Sequence, residues 1–252
     1  MNSIKEPVRL VVNASAQYVT RVARSAEEVR AAQALRFEVF NLELNEGLAH
    51  SYVTGLDADP YDAVCDHLIV EHVPSASIVG TYRLQTGINA ANHLGYYSEQ
   101  EFSFAPFEPL RGEIVELGRA CVHKQHRNLS VLGLLWKGIA DYAKERGAGY
   151  LIGCSSLTSQ NPAEGASAYS ELCRKNLADT AWRTQPLPAY ECPLDAVTEE
   201  KVHIPKLLRA YLTVGAKICG PPALDHHFKT IDFLTLLDLE SLSPVARARF
   251  LS

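Results

Sequence analysis

The sequence has no excess of basic residues. Its 24 lysines and arginines stand against 29 aspartates and glutamates, which gives a formal net charge of -5. Because a nucleic-acid-binding surface must neutralise phosphates, such a surface is usually strongly basic. The balance therefore argues against nucleic acid as a partner, and an acidic protein partner would need a local basic patch.

Signals for disulfides, export and membrane insertion are missing as well. The six cysteines form no CxxC pair and several lie within apolar runs, so we expect reduced, buried thiols in a cytoplasmic protein. The N-terminus has no apolar segment of the signal-peptide type, and no run of about 20 apolar residues predicts a membrane span. If the protein handles lipid, we expect it to do so from the cytosol, by peripheral contact with the inner face of the membrane.

No internal repeat, low-complexity tract or run of charge divides the chain. Its 252 residues, 47% of them hydrophobic, are enough to bury a sizeable core. We expect one domain over residues 1–252, with residues 1–17 as a candidate flexible arm.

The most informative stretch is a strand that leads into a helix. Alternation over residues 113–122 predicts a strand that carries Glu116 on one face and Arg119 on the other. Apolar side chains at three- and four-residue spacing over residues 131–139 predict the helix, with Ser130 as its N-cap. Because the first N–H groups of a helix lack intrahelical partners, this turn could receive a phosphate or a polarised carbonyl.

Strand and helix signals continue along the rest of the chain. Residues 45–62 form a predicted mobile loop that is dense in carboxylates. Strands are predicted from residue 18, as a hairpin at 65–73 and 77–85, and at 150–156, 223–228 and 231–237. Helices are predicted at 25–40 and 98–102, from residue 162, at 205–216 and from Ser243.

The sequence Glu116-Leu-Gly-Arg119 resembles the Glu-Leu-x-Arg signature of the acyl-carrier-protein-dependent GNAT acyltransferases. This branch contains the autoinducer synthases, the ornithine-lipid N-acyltransferases and the N-acyl amino acid synthases. The tail, at residues 211–216 and 225–228, fits the ornithine acyltransferase subgroup best. Other matching segments follow in the expected order at residues 35–40, 65–68, 79–84, 95–102 and 153–154.

The resemblance implies a fold and a reaction. The fold would be α/β (α+β): a single GNAT-like domain with a central mixed, twisted sheet and helices on both faces. The reaction would transfer a long-chain (3-hydroxy) acyl group from acyl carrier protein to the α-amine of an amino acid. Ornithine is the first choice of acceptor, with lyso-ornithine lipid as the product. The phosphopantetheine belongs to the donor substrate, so no separate cofactor is expected.

The loop before the predicted helix departs from the classical GNAT pyrophosphate loop, Arg/Gln-x-x-Gly-x-Gly/Ala. Ser130 and Leu132 stand where the two small residues are expected, so the pyrophosphate of coenzyme A should fit poorly. A carrier-protein phosphopantetheine has a single phosphate, and we expect it to bind at Arg127, Asn128, Leu129 and Ser130.

A local basic patch for the acidic carrier protein is available around this helix. An ordinary solvated helix face is the equally simple alternative. The candidate residues are Lys124, His126, Arg127, Lys137, Lys144 and Arg146.

Acyl transfer from a thioester to an amine requires a deprotonated amine, a stabilised oxyanion and a proton for the leaving thiol. Glu116 is the catalytic candidate for holding or deprotonating the amine, directly or through water. Arg119 is the second catalytic candidate. In a regular strand its side chain would lie on the face opposite to that of Glu116, so the two residues can reach one cleft only if the strand bulges. A bulge here is a feature of the superfamily, and the backbone N–H groups that it frees could stabilise the oxyanion.

The resemblance also implies residues that bind the substrates. Asp66 and Arg83 fall at positions that line the amine-acceptor cleft, although Asp66 could instead form a structural pair with Arg83 or another cation. The carboxylates of the loop at residues 45–62, together with Asp66, would suit a cationic amine such as ornithine. The substrate-binding candidates are Arg36, Asp66, Arg83, Cys154 and Ser155.

Other chemistries fit the sequence less well. Residues 153–157 resemble a nucleophile elbow without its final glycine, and Cys154 is more simply a small buried thiol than a nucleophile. His226 and His227 are adjacent in a predicted strand and would point to opposite faces, so no metal site is predicted.

Two alternative functions stay open. One is an N-acyl amino acid synthase that uses a different acceptor, and the other is a catalytically silent acyl-binding protein. Phe102, Phe104 and Phe107 could wall an acyl tunnel in any of these proteins, or belong to the core.

Overall fold

The computed structural model describes residues 17–198, residues 202–242 and Arg247. The strands in these residues are β1 (Tyr18–Val22), β2 (Asp66–His72), β3 (Ser77–Thr86), β4 (Ile114–Val122), β5 (Tyr150–Leu157), β6 (Lys217–Ile218), β7 (Ala223–Asp225) and β8 (Thr230–Asp238). They form a mixed sheet in the order β1-β2-β3-β4-β5-β8-β6, with β7 paired to β8. Strands β4 and β5 run parallel and the other described pairs are antiparallel.

Helices cover both faces of the sheet, as the resemblance implied. Ser25 caps the first helix by accepting a hydrogen bond from the N–H of Glu28, as the capping-box pattern predicts. The π-helical segment Phe37–Glu43 continues that helix. The α-helices are α1 (Ala26–Arg36), α2 (Ser51–Thr54), α3 (Gly87–Asn92), α4 (Leu129–Glu145), α5 (Pro162–Asn176) and α6 (Lys206–Val214).

Two predicted features fall where the structure describes little. The candidate arm at residues 1–17 and the terminal helix predicted from Ser243 lie outside the described residues, apart from Gln17 and Arg247. Within the described residues, none of the helices combines the length and the apolar character that crossing a bilayer requires.

One face of the sheet packs on α4 and α6, and is called the α4 face below. Leu68 and Val70 of β2 lie in the same buried cluster as Leu135 of α4. The indole of Trp136 in α4 packs edge to face on the ring of Tyr211 in α6, with 4.9 Å between the ring centroids. These contacts bury the apolar stripe of α4 that its sequence spacing predicts.

The opposite face, called the α1 face below, is covered by α1 and by the segment at residues 87–113. Phe102, Phe104 and Phe107 are buried there against Ile114 and Ile152 of the sheet. None of the three phenylalanines lines the cavity described below, so they are core residues rather than the walls of an acyl tunnel.

Strands β4 and β5 pair over three residues and then separate. Their last pair is Glu116 with Ile152, after which β5 continues alongside β8. A Cβ at Gly153 would lie 2.2 Å from the carbonyl oxygen of Leu117, so glycine is required where the strands diverge. Beyond this point the facing backbone groups lose their ladder partners, and a gap opens in the sheet.

Strand β4 also contains a bulge. Its register with β3 shifts between Thr81 and Arg83, and Arg119 inside the shift has a φ of 51°. An extra residue in one strand changes the face on which the next side chain lies. Arg119 therefore lines the same cavity as Glu116, which removes the conflict of parity that strict alternation predicts.

Several local predictions are wrong. The strand predicted at residues 223–228 ends at Asp225, and His226 and His227 lie in the turn that follows. Helix α4 is capped by Asn128 rather than Ser130, because the Asn128 side chain accepts the N–H of Val131 at 3.0 Å. Helix α6 ends at Val214 instead of residue 216, since Gly215 adopts a left-handed conformation with φ of 113°. The chain then forms the short strand β6, which the sequence pattern did not indicate.

Replacing Gly153 with alanine should destabilise the fold, because the new methyl group would overlap the carbonyl oxygen of Leu117. Overpacking of this kind costs about 1–3 kcal/mol, and urea unfolding should show a loss of unfolding free energy in that range. Gly133→Ala in α4 is the matched control, since nothing lies within 4 Å of its Cβ position and alanine favours the helix. Equal stability of Gly153→Ala and wild type would contradict the close approach of the two strands.

Candidate active site

A cavity of about 280 Å³ lies at the gap between β4 and β5. Glu116 and Cys154 line it from the α1 face, whereas Leu117 and Ser155, whose side chains alternate with theirs, line it from the α4 face. On the α4 side it is also lined by Pro205, Leu207 and Leu208. The cavity therefore connects the two faces of the sheet.

Glu116 is held in place by backbone hydrogen bonds. Its two carboxylate oxygens accept the N–H of Tyr97 and the N–H of Ser98, each at 2.8 Å. Burial raises the pKa of Glu116, and these two N–H groups act in the opposite direction. The side chain is 5% exposed and still borders the cavity, so it is a fixed carboxylate that faces the gap.

Three arginines and three aspartates form a buried ionic cluster on the α1 face. The aspartates come from the loop that the sequence predicts to be mobile. In the structure they are fixed, because each accepts hydrogen bonds or ion pairs from the arginines. The members are Arg36, Arg83, Arg119, Asp57, Asp59 and Asp62.

Arg36 is the fully buried member of this cluster, with an exposure of 0%. Its Nε lies 2.8 Å from Oδ1 of Asp57, and its Nη2 lies 2.6 Å from Oδ2 of Asp62. Burial acts to raise the pKa of Asp62, but the charges of Arg36 and Arg83 outweigh it and hold that pKa below its ordinary value. Arg36 does not line the cavity, so the structure places it behind the site.

Arg83 and Arg119 bring the same cluster to the cavity wall. Both pair with Asp59, at 2.6 Å and 3.0 Å, and both guanidinium groups lie over the ring of Tyr97. Nη2 of Arg83 is buried without a hydrogen-bond partner in the described residues, whereas Nε of Arg119 lies 3.3 Å from Oδ1 of Asp57. Arg83 therefore has a spare donor for a carboxylate of a bound molecule, and Arg119 brings a second positive charge to the cavity wall.

A second group of carboxylates borders the cavity, and sequence reasoning missed it. Glu46, Asp225 and Asp232 line the cavity, and Glu101 lies behind Asp232 and Cys154. Burial raises the pKa of Glu46 to about 7, and burial together with Asp232 raises the pKa of Glu101 well above its ordinary value. The available signal was Asp232 itself, a carboxylate inside the predominantly apolar strand β8.

Cys154 and Ser155 both reach the cavity, on opposite faces of β5. Burial raises the pKa of the Cys154 thiol far above its ordinary value, and the nearby Glu101 carboxylate adds to this effect. The thiol is thus kept protonated and is a poor nucleophile. The hydroxyl of Ser155 lies 3.4 Å from that of Thr235 in β8.

Asp66 lies away from the cavity. It has the same parity as Leu68 and Val70 and therefore points to the α4 face. There its Oδ2 accepts a hydrogen bond from the hydroxyl of Tyr142 at 2.8 Å and lies 3.4 Å from Arg146. The structure does not bring Asp66 together with the other candidates for substrate binding, and it does not pair Asp66 with Arg83.

The four candidates for phosphate binding stand at the start of α4, outside the cavity lining. Arg127 forms a two-pronged pair with Glu43, and Asn128 caps the helix. Leu129 is 75% exposed and Ser130 is exposed too. The open N–H groups of the first helical turn remain the feature that could hold a phosphate.

The basic patch around α4 is partly neutralised. Lys137 pairs with Asp141 one turn further along the helix. Arg127 pairs with Glu43, and Arg146 pairs with acidic side chains as well. Exposed pairs of this kind are weak, so a strongly acidic partner could displace them.

The site offers three chemical environments around one gap. A fixed carboxylate faces the gap at Glu116, the guanidinium groups of Arg83 and Arg119 lie on the α1 face, and an apolar wall from α6 lies on the α4 face. This arrangement can hold a polar, charged molecule against an apolar one that enters from the other face.

The chain is similar to known acyltransferases along most of its length. Residues 35–137 match the family model described as an acetyltransferase (GNAT) domain. An L-ornithine N(alpha)-acyltransferase of Agrobacterium fabrum is 34% identical over 239 residues, which cover 89% of this chain and 82% of that protein. One of the same name from Rhizobium meliloti is 32% identical over 257 residues, with coverages of 96% and 86%.

The fold is shared with a solved acyltransferase of low sequence identity. FeeM, an N-acyl amino acid synthase from uncultured soil microbes, matches with a TM-score of 0.53 at 14% identity. The match covers 95% of this chain and 97% of that one. The GNAT-like α/β fold that the resemblance implied is thereby confirmed.

Replacing Arg36 with methionine should lower the free energy of unfolding, because Asp57 and Asp62 would lose a buried counter-charge. Removing one partner of a buried ion pair costs about 3 kcal/mol or more, and urea unfolding would measure that loss. Arg146→Met is the control for an exposed pair, where a change below about 1 kcal/mol is expected. Similar small losses in both variants would show that the buried cluster does not hold the loop.

Proposed function

The chain belongs to the L-ornithine N(alpha)-acyltransferase family of GNAT acyltransferases, and on this basis we propose that it acylates the α-amine of ornithine. The donor is a long-chain, 3-hydroxylated acyl thioester of acyl carrier protein, and the product is a lyso-ornithine lipid. The assignment as an acyltransferase rests on the relatives that share about a third of their residues with this chain. The acyl donor is a substrate, and the reaction requires no resident cofactor.

One observation carries the proposal: the cavity passes through the gap in the sheet. A thioester that enters from the α4 face and an amino acid that binds on the α1 face would meet beside Glu116. Holding two reactants in this way can supply about 7 kcal/mol or more of the barrier. Acyl transfer to an amine needs little else, because an aligned amine attacks a thioester readily.

The chemistry needs one proton acceptor and one oxyanion site. Glu116 accepts a proton from the α-ammonium group, directly or through water, and releases it to solvent. The amine nitrogen then bonds to the thioester carbon, and Glu116 accepts a second proton from the nitrogen, which has become positively charged. Backbone N–H groups on the separated edges of β4 and β5 stabilise the oxyanion of the tetrahedral intermediate. When the C–S bond breaks, the second proton passes to the leaving thiolate, so the products are the amide, the thiol and one proton in solution.

Arg83 and Arg119 orient the acceptor. Both side chains line the cavity from the α1 face, where they bind the α-carboxylate of the amino acid. This contact places the α-amine toward Glu116.

The start of α4 binds the phosphate of the phosphopantetheine arm. The segment Arg127–Ser130 lies on the side from which the arm enters, and its two missing glycines disfavour the pyrophosphate of coenzyme A. The arm then follows the apolar side chains of Leu207 and Leu208 to the gap.

The reaction takes place on the cytosolic side of the membrane, with peripheral contact. Leu44 lines the cavity and is 38% exposed, and Leu42, Tyr52 and Val53 nearby in the chain are more exposed still. Exposed apolar side chains beside a cavity suit a product that partitions into a bilayer.

Incubation with an acyl carrier protein thioester and each amino acid in turn tests the proposal. Mass spectrometry should find the α-amide of ornithine as the main product, and the same acyl group on coenzyme A should be a poorer donor. A different preferred acceptor would make the protein another N-acyl amino acid synthase. No amide with any acceptor would favour a catalytically silent acyl-binding protein.

Glu116→Gln should reduce kcat by about 100-fold or more, because the variant cannot accept a proton. In the wild type, kcat should fall as pH falls through the raised pKa of Glu116, since the protonated acid is no base. Glu99→Gln is the matched control: Glu99 also accepts a backbone N–H in the same segment but does not line the cavity. A loss below about threefold in Glu116→Gln would assign the base to another group.

A further inference from the structure

Two groups of acidic side chains near the cavity differ in their counter-charges. Asp57, Asp59 and Asp62 are matched by three arginines in the ionic cluster. Glu46, Asp225 and Asp232 at the cavity and Glu101 behind them form no ion pair with lysine or arginine in the part of the chain that the structure describes. In the described residues, the second group therefore has no positively charged side chain to compensate its carboxylates.

Asp232 is the member of this group with an open acceptor atom. It is 5% exposed, it lines the cavity, and its Oδ1 has no hydrogen-bond partner among the described residues. A buried, unsatisfied carboxylate oxygen is costly unless a ligand completes it. Asp225 differs, because its Oδ1 already accepts the N–H groups of His227 and Phe228.

Glu46 and Glu101 border the same place from two other segments. Glu46 is 6% exposed and accepts a hydrogen bond from the hydroxyl of Thr158. Glu101 is 2% exposed, and one of its carboxylate oxygens lies within 4.8 Å of a carboxylate oxygen of Asp232 and of Sγ of Cys154. Glu46 and Asp232 thus line the cavity with Glu101 behind Asp232, and burial raises the pKa of each of the three carboxyl groups. Without a ligand, protons compensate part of their charge, and a bound cation would replace those protons.

The chemistry of this part of the cavity favours an ammonium group over a metal ion. A metal at Glu101, Cys154 and Asp232 would have to displace the proton that burial favours on the Cys154 thiol. An ammonium group donates three hydrogen bonds to oxygen atoms, and it requires neither a thiolate nor a fixed coordination geometry.

We propose that Asp232, supported by Glu46 and Glu101, binds the side-chain ammonium group of the acceptor and thereby selects a diamino acid. The inference rests on the proposed function and adds the basis of its specificity. With the α-carboxylate on Arg83 and Arg119 and the side-chain ammonium on Asp232, ornithine spans the cavity and leaves its α-amine at the gap. A neutral side chain of the same length would leave the buried carboxylates without a partner.

Steady-state kinetics with ornithine and norvaline test this assignment, because norvaline has the same carbon chain without the side-chain amine. The wild type should prefer ornithine. Asp232→Asn should lower kcat/KM for ornithine by about 100-fold and change kcat/KM for norvaline by less than about threefold. Asp238→Asn in the same strand is the control; Asp238 lies outside the cavity lining and should leave both values unchanged.

Glu46→Gln provides a second variant if Asp232→Asn folds poorly. It should also lower kcat/KM for ornithine more than kcat/KM for norvaline, by a smaller factor than Asp232→Asn. Equal losses for ornithine and norvaline in both variants would make these residues structural or catalytic. Unchanged selectivity in both variants would overturn the assignment, and so would about one metal ion per chain in the purified wild type that is lost in Asp232→Asn.

A binding measurement separates failure of this inference from failure of the proposed function. Calorimetric titration of the wild type without donor should show binding of ornithine that is at least about tenfold tighter than that of norvaline, and Asp232→Asn should remove the difference. If no amide forms with any acceptor but this difference is present, the subsite stands and the proposed reaction fails. Equal binding of the two amino acids would refute the subsite whatever the protein catalyses.

Discussion

The separation of β4 and β5 after the pair Glu116–Ile152 is the constraint on which the site depends. A continuous parallel ladder would close the sheet and divide the α4 face from the α1 face. The close approach of Gly153 to the backbone of Leu117 sets where the strands part, and the bulge at Arg119 turns a second charged side chain toward the opening. Both features belong to the backbone, so the chemistry of the site is fixed before any substrate contact is made.

Charge compensation divides the cavity into parts with different tasks. The arginines on the α1 face are matched by aspartates, yet Nη2 of Arg83 has no hydrogen-bond partner among the described residues, which suits recognition of an anion without leaving a strong net charge in the empty site. Within the described parts of the chain, the carboxylates near β8 pair with no lysine or arginine. An acceptor that carries both a carboxylate and a second ammonium group complements both parts at once.

Structural features that depend on residues close together along the chain can be predicted from the sequence. The β2–β3 hairpin, the β4 strand, helix α4 and the capped start of α1 follow from local periodicity and capping residues. The pairing of Asp57 with Arg36 joins residues that are 21 positions apart, and no local pattern distinguishes this aspartate from a solvated one.

Asp66 is a different case, because its side chain lies on the same face of β2 as that of Leu68, which already indicated that it faces α4 and lies away from the cavity. Asp232 was overlooked because its strand is predominantly apolar, although a buried carboxylate inside such a strand requires an explanation.

The central claim is that thioester and amine meet in the gap of the sheet. A crystal structure with ornithine and a non-reactive thioether analogue of the acylated pantetheine arm tests it most directly. The account predicts the α-nitrogen about 3–3.5 Å from the carbon that replaces the thioester carbonyl, beside Glu116 and between β4 and β5. An arm bound elsewhere, with the gap empty and Glu116 remote from both ligands, would contradict it.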